Sequence, residues 1–331
     1  MILDLIKRSV SRGYVLKKIN LSVNPLYLCN FRCDFCYLTH KQLSDRNVMP
    51  LSELEKRLLD LRENGVQIEH VDLYGGEIGL LDLEYLESLD ELLLQAGDPQ
   101  INIVTNLSNV HPFFLKEHVD LSVSFDFGCR QSSEKVLQNI IGLNKTVAIL
   151  MLASPRLLEK DVDTMIQTFS SIQNIVSVEV KPYSSNQANQ LSCSDEDYEE
   201  FIKKWIDSSV AKNFEFVNSR EIELSLSRKK NAFSDNHLYI EPSGKFAVLD
   251  FDQNSNEFFN ILNSVDDYYD WCKIEKKRVS ENIFCTSCEF YGHCLTEHYR
   301  NVTSLEKSCN GFYKLLRWAK EERQELRASE A

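Results

Sequence analysis

From residue 20 to residue 181 the chain alternates short apolar-rich strand patterns with amphipathic helix patterns, and no other feature constrains the fold as tightly. Strand patterns cover 20–28, 68–74, 100–106, 119–126, 146–152 and 175–181, each bounded by turn residues or helix signals. Helix patterns cover 51–64, 81–96, 132–143 and 156–172, with a short one near 113–118. Pro50 starts the first helix and Gly65 stops it, while Gly97 stops the second. Six strands separated by helices pair in parallel through right-handed crossovers. The expected fold class is therefore α/β. Active sites of barrel-like α/β folds gather where the strands end, so the loops after the strands are where chemistry is sought.

The loop after the first strand reads Leu28-Cys29-Asn30-Phe31-Arg32-Cys33-Asp34-Phe35-Cys36-Tyr37. Three thiolates at this spacing can hold three irons of a 4Fe-4S cluster and leave the fourth iron open to a second molecule. The competing readings are a zinc knuckle or a group of buried thiols. Against zinc, the nearest further ligand, His40, is followed by a polar loop without a second Cys/His pair. After the strand at 68–74 comes Gly75-Gly76-Glu77. Paired glycines let a backbone approach a ligand closely, and the carboxylate offers an acceptor to a cation; an ordinary turn with a solvated Glu is the alternative. A second cysteine set, Cys285, Cys288, Cys294 and Cys309, has intervals of 2, 5 and 14 residues. Four thiols so placed suit either zinc or a fully ligated iron-sulfur cluster.

The run at 29–36 resembles the CxxxCxΦC signature of the radical SAM superfamily, with Phe35 at the aromatic position. The resemblance implies a partial (β/α)6 barrel in which the cluster chelates S-adenosylmethionine (SAM) and one electron splits it into a 5'-deoxyadenosyl radical that removes a substrate hydrogen. Gly75, Gly76 and Glu77 resemble the family's GGE motif, which contacts the methionine ammonium; Ile78-Gly79 stands where the family usually has Pro. Thr105-Asn106 falls where the family often has Thr-Asn-Gly. Ser124-Phe125-Asp126 resembles its Ser-Leu-Asp, which makes Ser124 and Asp126 candidates for the SAM ribose hydroxyls. The C-terminal cysteines resemble the SPASM extension. A complete SPASM region holds two auxiliary clusters and has a Cys shortly after a hairpin glycine, whereas here Gly244 is followed by Lys245 to Asp250 without a thiol. The resemblance thus implies one auxiliary cluster, closer to the shortened twitch type. Cys129, Cys193 and Cys272 read as inert buried thiols, with Cys272 a possible stray ligand.

Between the two cysteine regions, 183–196 reads as a connecting loop poor in large apolar residues. A helix pattern at 195–210 carries Tyr198, Phe201, Ile202, Trp205 and Ile206 at helical spacing, a stripe that reads as core. A strand is expected at 213–217, and 237–250 reads as a hairpin turning at Glu241-Pro242-Ser243-Gly244. The expected organisation is an N-terminal extension at 1–19, the barrel at 20–195 and a connecting helical region at 196–236. A small α+β auxiliary-cluster domain at 237–318 and a helix end at 319–331 follow. Asp250 and Asp252 stand where a complete SPASM region places its first auxiliary-cluster Cys. A substrate radical oxidised to a neutral product must shed a proton, and these carboxylates are candidate acceptors.

Charge sets the partners the chain excludes. Thirty-seven basic residues against fifty acidic ones give a net charge of −13 and no basic stripe, which argues against a nucleic-acid partner. No apolar run reaches the roughly 18–20 residues of a membrane span, and no secretory signal follows Met1. Ten cysteines grouped as ligands suit a reducing cytoplasm. The resemblance implies a peptide or protein side chain as substrate, in the manner of peptide natural-product maturation, and a flavodoxin or ferredoxin as electron donor. Alternatives are a small-molecule radical SAM dehydrogenase or mutase and, more remotely, a non-catalytic iron-sulfur or zinc module. Only 28 residues precede the first cysteine, so a peptide substrate is expected to be delivered by a separate leader-recognition protein.

Overall fold

The computed structural model describes residues 17–97, 99–183, 188, 191, 193–233, 235–249, 258–296 and 302–329. Its first strand, β1 (Lys17–Val23), is followed by α1 (Leu51–Glu63), β2 (Val66–Leu73), α2 (Leu83–Gln95), β3 (Gln100–Thr105) and β4 (Val119–Ser124). Then come α3 (Ser133–Gly142), β5 (Val147–Leu152), α4 (Pro155–Leu158), α5 (Val162–Ser170) and β6 (Ile175–Lys181). Strands β1 to β6 pair in sequence order and in parallel, as the strand and helix alternation requires. The described core is continuous, from Leu21 and Val23 through Val71, Ile103 and Val123 to Ile149 and Val178.

Two boundaries differ from the sequence expectation. The first strand ends at Val23 rather than continuing to 28, because Pro25 has no N–H to give a ladder. Residues 24–28 instead hold the loop after β2, through Gly76 N to Leu26 O and Glu77 N to Leu28 O. The single helix expected at 156–172 is broken in two. Asp161 caps α5 by accepting from Thr164 N at 2.8 Å, and a capping residue ends one helix where it starts the next.

The C-terminal half adds α6 (Asp195–Asp207), β7 (Glu215–Phe216), α7 (Val217–Leu226), β8 (His237–Ile240), β9 (Phe246–Leu249) and β10 (Phe259–Leu262). Three more helices follow: α8 (Val265–Ser280), α9 (Ile283–Ser287) and α10 (Tyr313–Ser329). The capping box of Ser194 and Asp197 starts α6, whose Tyr198, Phe201, Ile202 and Trp205 are buried, so the stripe is core. The hairpin forms with Gly244 at φ 77°, a conformation that favours glycine. Its first strand pairs in parallel with β1, giving one sheet in the order β10-β9-β8-β1-β2-β3-β4-β5-β6-β7. The hairpin thus extends the barrel sheet beyond β1, and β10 forms the edge. No helix among the described residues is long and apolar enough to cross a membrane.

Candidate active site

A cavity of about 410 Å³ opens where β1 to β6 end, lined by Cys29, Cys33, Cys36, Gly75, Gly76 and Ser124 among others. The cysteine loop is shaped by its own backbone. Cys36 N donates to Cys33 O at 3.2 Å, Cys29 N donates to Leu43 O at 3.2 Å, and Arg32 Nη1 reaches Cys29 O at 2.6 Å. Phe31 N and Leu38 N each donate to the sulfur two residues earlier, Cys29 and Cys36, at 3.4 Å. Such N–H donors favour the anionic sulfur that ligates iron. In the protein alone, burial pushes the thiols up, Cys33 to about 11, with Cys29 and Cys36 also raised. Binding of a metal group must therefore displace their protons.

Gly75 and Gly76 are pressed against the chain itself. A Cβ on Gly76 would stand 2.0 Å from Leu28 O and 2.4 Å from Tyr27 O, and one on Gly75 would stand 2.4 Å from Leu26 O. The close approach expected of these glycines is thus to the segment that leads into the cysteine loop, while both also line the cavity. Glu77 is 3% exposed, and its carboxylate is engaged by the protein. Oε1 accepts from Thr105 Oγ1 at 2.5 Å and Gly79 N at 2.9 Å, and Oε2 accepts from Asn106 N at 2.8 Å. Burial raises its pKa, and these three donors oppose the rise. Asn106 Nδ2 in turn donates to Asn30 Oδ1 at 2.9 Å and lies 3.9 Å from Cys29 Sγ. Glu77 is thereby the root of a polar chain that ends at the cysteine loop.

Ser124 ends β4 and lines the cavity; Asp126 does not. Asp126 is fully buried, accepts from Leu152 N at 2.7 Å through Oδ1, and pairs with Arg130 Nε through Oδ2. Arg130 is the cavity residue that the sequence reading did not single out. It lines the cavity, lays its guanidinium 4.8 Å from the centroid of the Phe35 ring and brings Nη1 to 4.0 Å from Cys33 Sγ. Its only signal in the sequence is a cation four residues after the acid, in a segment that belongs to no helix pattern. On the β1, β2 and β8 side the wall is aromatic, with Tyr37 stacked on Phe258 at 4.2 Å and Tyr74 edge-on to Tyr239 at 6.3 Å.

Cys285, Cys288, Cys294 and Cys309 line a second, small cavity together with Phe290, Val302 and Tyr313. Phe290 N donates to Cys288 Sγ at 3.4 Å, repeating the contact seen in the first loop. Burial raises Cys285 to about 12 and Cys309 to about 11. Leu295 N donates to Gly311 O at 3.2 Å, and a Cβ on Gly311 would stand 2.9 Å from Cys294 Sγ. Cys129 and Cys272 are buried away from both cavities, with Cys272 Sγ accepting from Lys17 Nζ at 3.3 Å. Cys193 donates to Ala153 O at 3.2 Å. Among the described residues, no three His, Cys, Asp or Glu side chains converge to hold a single metal ion. Asp250 and Asp252 lie outside the described residues.

Residues 23–170, which contain the cysteine loop, Gly75 to Glu77 and β2 to β5, match the family model described as Radical SAM superfamily. This region of the chain is a radical SAM domain. Radical SAM enzymes use a 4Fe-4S cluster and SAM. Among solved structures the chain is similar to native anSMEcpe with bound AdoMet, at 14% identity and TM-score 0.67, over 94% of this chain and 100% of that one. It is also similar to Streptococcus suis SuiB bound to S-adenosylmethionine, at 15% identity and TM-score 0.62, over 88% of this chain and 75% of that one. At such identities the likeness is one of fold. No curated protein sequence matches the chain.

Proposed function

We propose that this radical SAM enzyme modifies a ribosomally made peptide or a protein side chain. In this reading Cys29, Cys33 and Cys36 hold the catalytic cluster, and Cys285, Cys288, Cys294 and Cys309 hold one auxiliary 4Fe-4S cluster of the SPASM or twitch type. The observation that carries it is that three thiols of one loop share a cavity with Gly75, Gly76 and Ser124 at the strand ends. When bound, the cluster and SAM supply a 5'-deoxyadenosyl radical that takes a hydrogen atom from the substrate.

The protein's part is to orient and enclose. Gly75 and Gly76 keep the β2 loop flush against 26–28, so the cysteine loop cannot shift. Glu77 acts on the pocket through Thr105 and Asn106, which fix Asn30 beside Cys29. Phe35 and Arg130 form the wall beside Cys33, and Asp126 positions Arg130. Ser124 remains the candidate for the ribose hydroxyls, with Asp126 acting on that pocket through Arg130. Asp250 and Asp252 remain candidate proton acceptors, to be decided by separate Asp→Asn variants.

Two features support a peptide substrate. SuiB has been solved bound to precursor peptide SuiA, and anSMEcpe with AdoMet and the Cp18Cys peptide. The aromatic wall of Tyr37, Tyr74, Tyr239 and Phe258 offers an apolar face to a side chain, as ligand sites commonly do. Delivery by a separate leader-recognition protein and reduction by a flavodoxin or ferredoxin complete the reading. The test is anaerobic reconstitution followed by metal analysis and SAM turnover. Iron near eight per chain without zinc, together with 5'-deoxyadenosine formation, is expected. Zinc at the C-terminal cysteines would overturn the auxiliary assignment, and no 5'-deoxyadenosine would overturn the enzyme.

A further inference from the structure

Among the described residues, Asn310 is the one that lines both the catalytic cavity and the cavity of the four C-terminal cysteines. It follows Cys309 directly, and its Nδ2 donates to Thr296 Oγ1 at 3.0 Å. Thr296 is buried, two residues after Cys294, and faces the catalytic cavity. The Asn310–Thr296 pair therefore joins the two cysteine-bearing segments on the side that faces the large cavity. The Leu295 N to Gly311 O bond joins the same segments through the backbone, and the contact of Gly311 with Cys294 leaves no room for them to slide.

We propose that Asn310 is a positioning residue that separates the auxiliary cysteine site from the catalytic cavity and sets the electrostatic contact between them. The proposal rests on the reading of those four cysteines as ligands of an auxiliary cluster. A substrate seated in the large cavity meets the auxiliary site across this side chain. As a neutral amide, Asn310 keeps bulk water and fixed charge out of that contact. A cluster held by four thiolates is anionic and becomes more so on reduction, so nearby water raises its reduction potential and a nearby carboxylate lowers it.

The experiment is a redox titration of the reconstituted full-length protein followed by electron paramagnetic resonance, with parent, Asn310→Ala and Asn310→Asp compared at equal iron content. Asn310→Ala opens the partition, and an upward shift of the auxiliary midpoint is expected. Asn310→Asp keeps the volume and adds charge, and a downward shift is expected. The catalytic-cluster midpoint moves less in both, because Asn310 adjoins Cys309 and not the 29–36 loop. Equal auxiliary midpoints in parent and Asn310→Asp overturn the proposal, as do shifts of the same sign in the two variants. If Asn310→Ala fails to retain iron, Thr296→Val replaces it, since it removes the Thr296 hydroxyl that accepts from the Asn310 amide without emptying the wall; an unchanged auxiliary spectrum then overturns the proposal. A parent that holds about four irons and no auxiliary signal overturns the underlying reading instead, which metal analysis detects before any variant is compared.

Discussion

The two cysteine sites share a backbone device and differ in size. In each, a sulfur accepts a backbone N–H from the residue two positions on, as at Cys29, Cys36 and Cys288. The barrel site has three thiols on the wall of a cavity of about 410 Å³, whereas the C-terminal four surround a void of about 20 Å³ lined by apolar side chains. The supports differ in the same sense. The barrel loop is held by polar groups brought from β2, β3 and the segment after β4: Glu77, Thr105, Asn106 and Arg130. The C-terminal site is clamped by its own neighbours, Leu295 to Gly311 and Asn310 to Thr296. A loop on the wall of a large cavity has little packing on one side and relies on long-range polar struts to stay in place. Cysteines around a small void can rely on local backbone and packing.

That contrast can be broken most decisively at the thiols themselves. Replacing Cys29, Cys33 and Cys36 together by Ala is expected to remove about four irons and all SAM cleavage while leaving the C-terminal site loaded, measured by iron analysis and 5'-deoxyadenosine assay. Residual SAM cleavage would show that the barrel site is not where the chemistry occurs. Cys288→Ala is the mirror experiment. It is expected to lose about four irons from the C-terminal site yet retain part of the SAM cleavage, and complete loss of both would mean that the two sites do not load independently.

Smaller effects sharpen the comparison of supports. Asp126→Asn leaves Arg130 without its buried partner and is expected to cost roughly 3 kcal/mol by denaturant unfolding. A weaker hold on the wall beside Cys33 should also loosen SAM binding. No change in either would make the Arg130 strut unimportant. Glu77→Gln puts an amide where the carboxylate accepts three hydrogen bonds, so at least one buried donor loses its acceptor, costing about 1–3 kcal/mol. Burial raises the pKa of Glu77 in the fold, so its ionisation penalises the folded state as pH climbs from its ordinary value through the raised one. The Gln variant should therefore lose that part of the acid-side pH dependence. An unaltered pH profile of stability would place the penalty elsewhere.

Much of the barrel was legible because its signals are local. Helix starts at Pro50, stops at Gly65, and six apolar strand patterns are set by neighbours a few residues away, and β2 to β6 formed close to where the pattern put them. The first strand ran short because Pro25 stands two residues beyond its end and because Gly75 and Gly76 pack against 26–28 from about fifty residues away in the chain. The C-terminal half was less legible. α7, β10 and α8 carry weak periodicity, and the pairing of β8 with β1 joins residues more than two hundred positions apart. Arg130 escaped notice for the same reason: its meaning lies in Phe35, Cys33 and Asp126, which belong to two separate motifs that only the fold brings together around it.

What the sequence determined by itself is the alternation that makes a parallel sheet and the spacing of thiols within each cysteine run, since both are properties of short stretches of covalent chain. Tertiary structure alone decided which polar side chains reach the cavity. It turned Glu77 and Asp126 inward to hold Thr105, Asn106 and Arg130, and it set Asn310 between the two cysteine sites. A buried carboxylate must find donors wherever the packed fold supplies them, and that supply is fixed by strand pairing rather than by position along the chain.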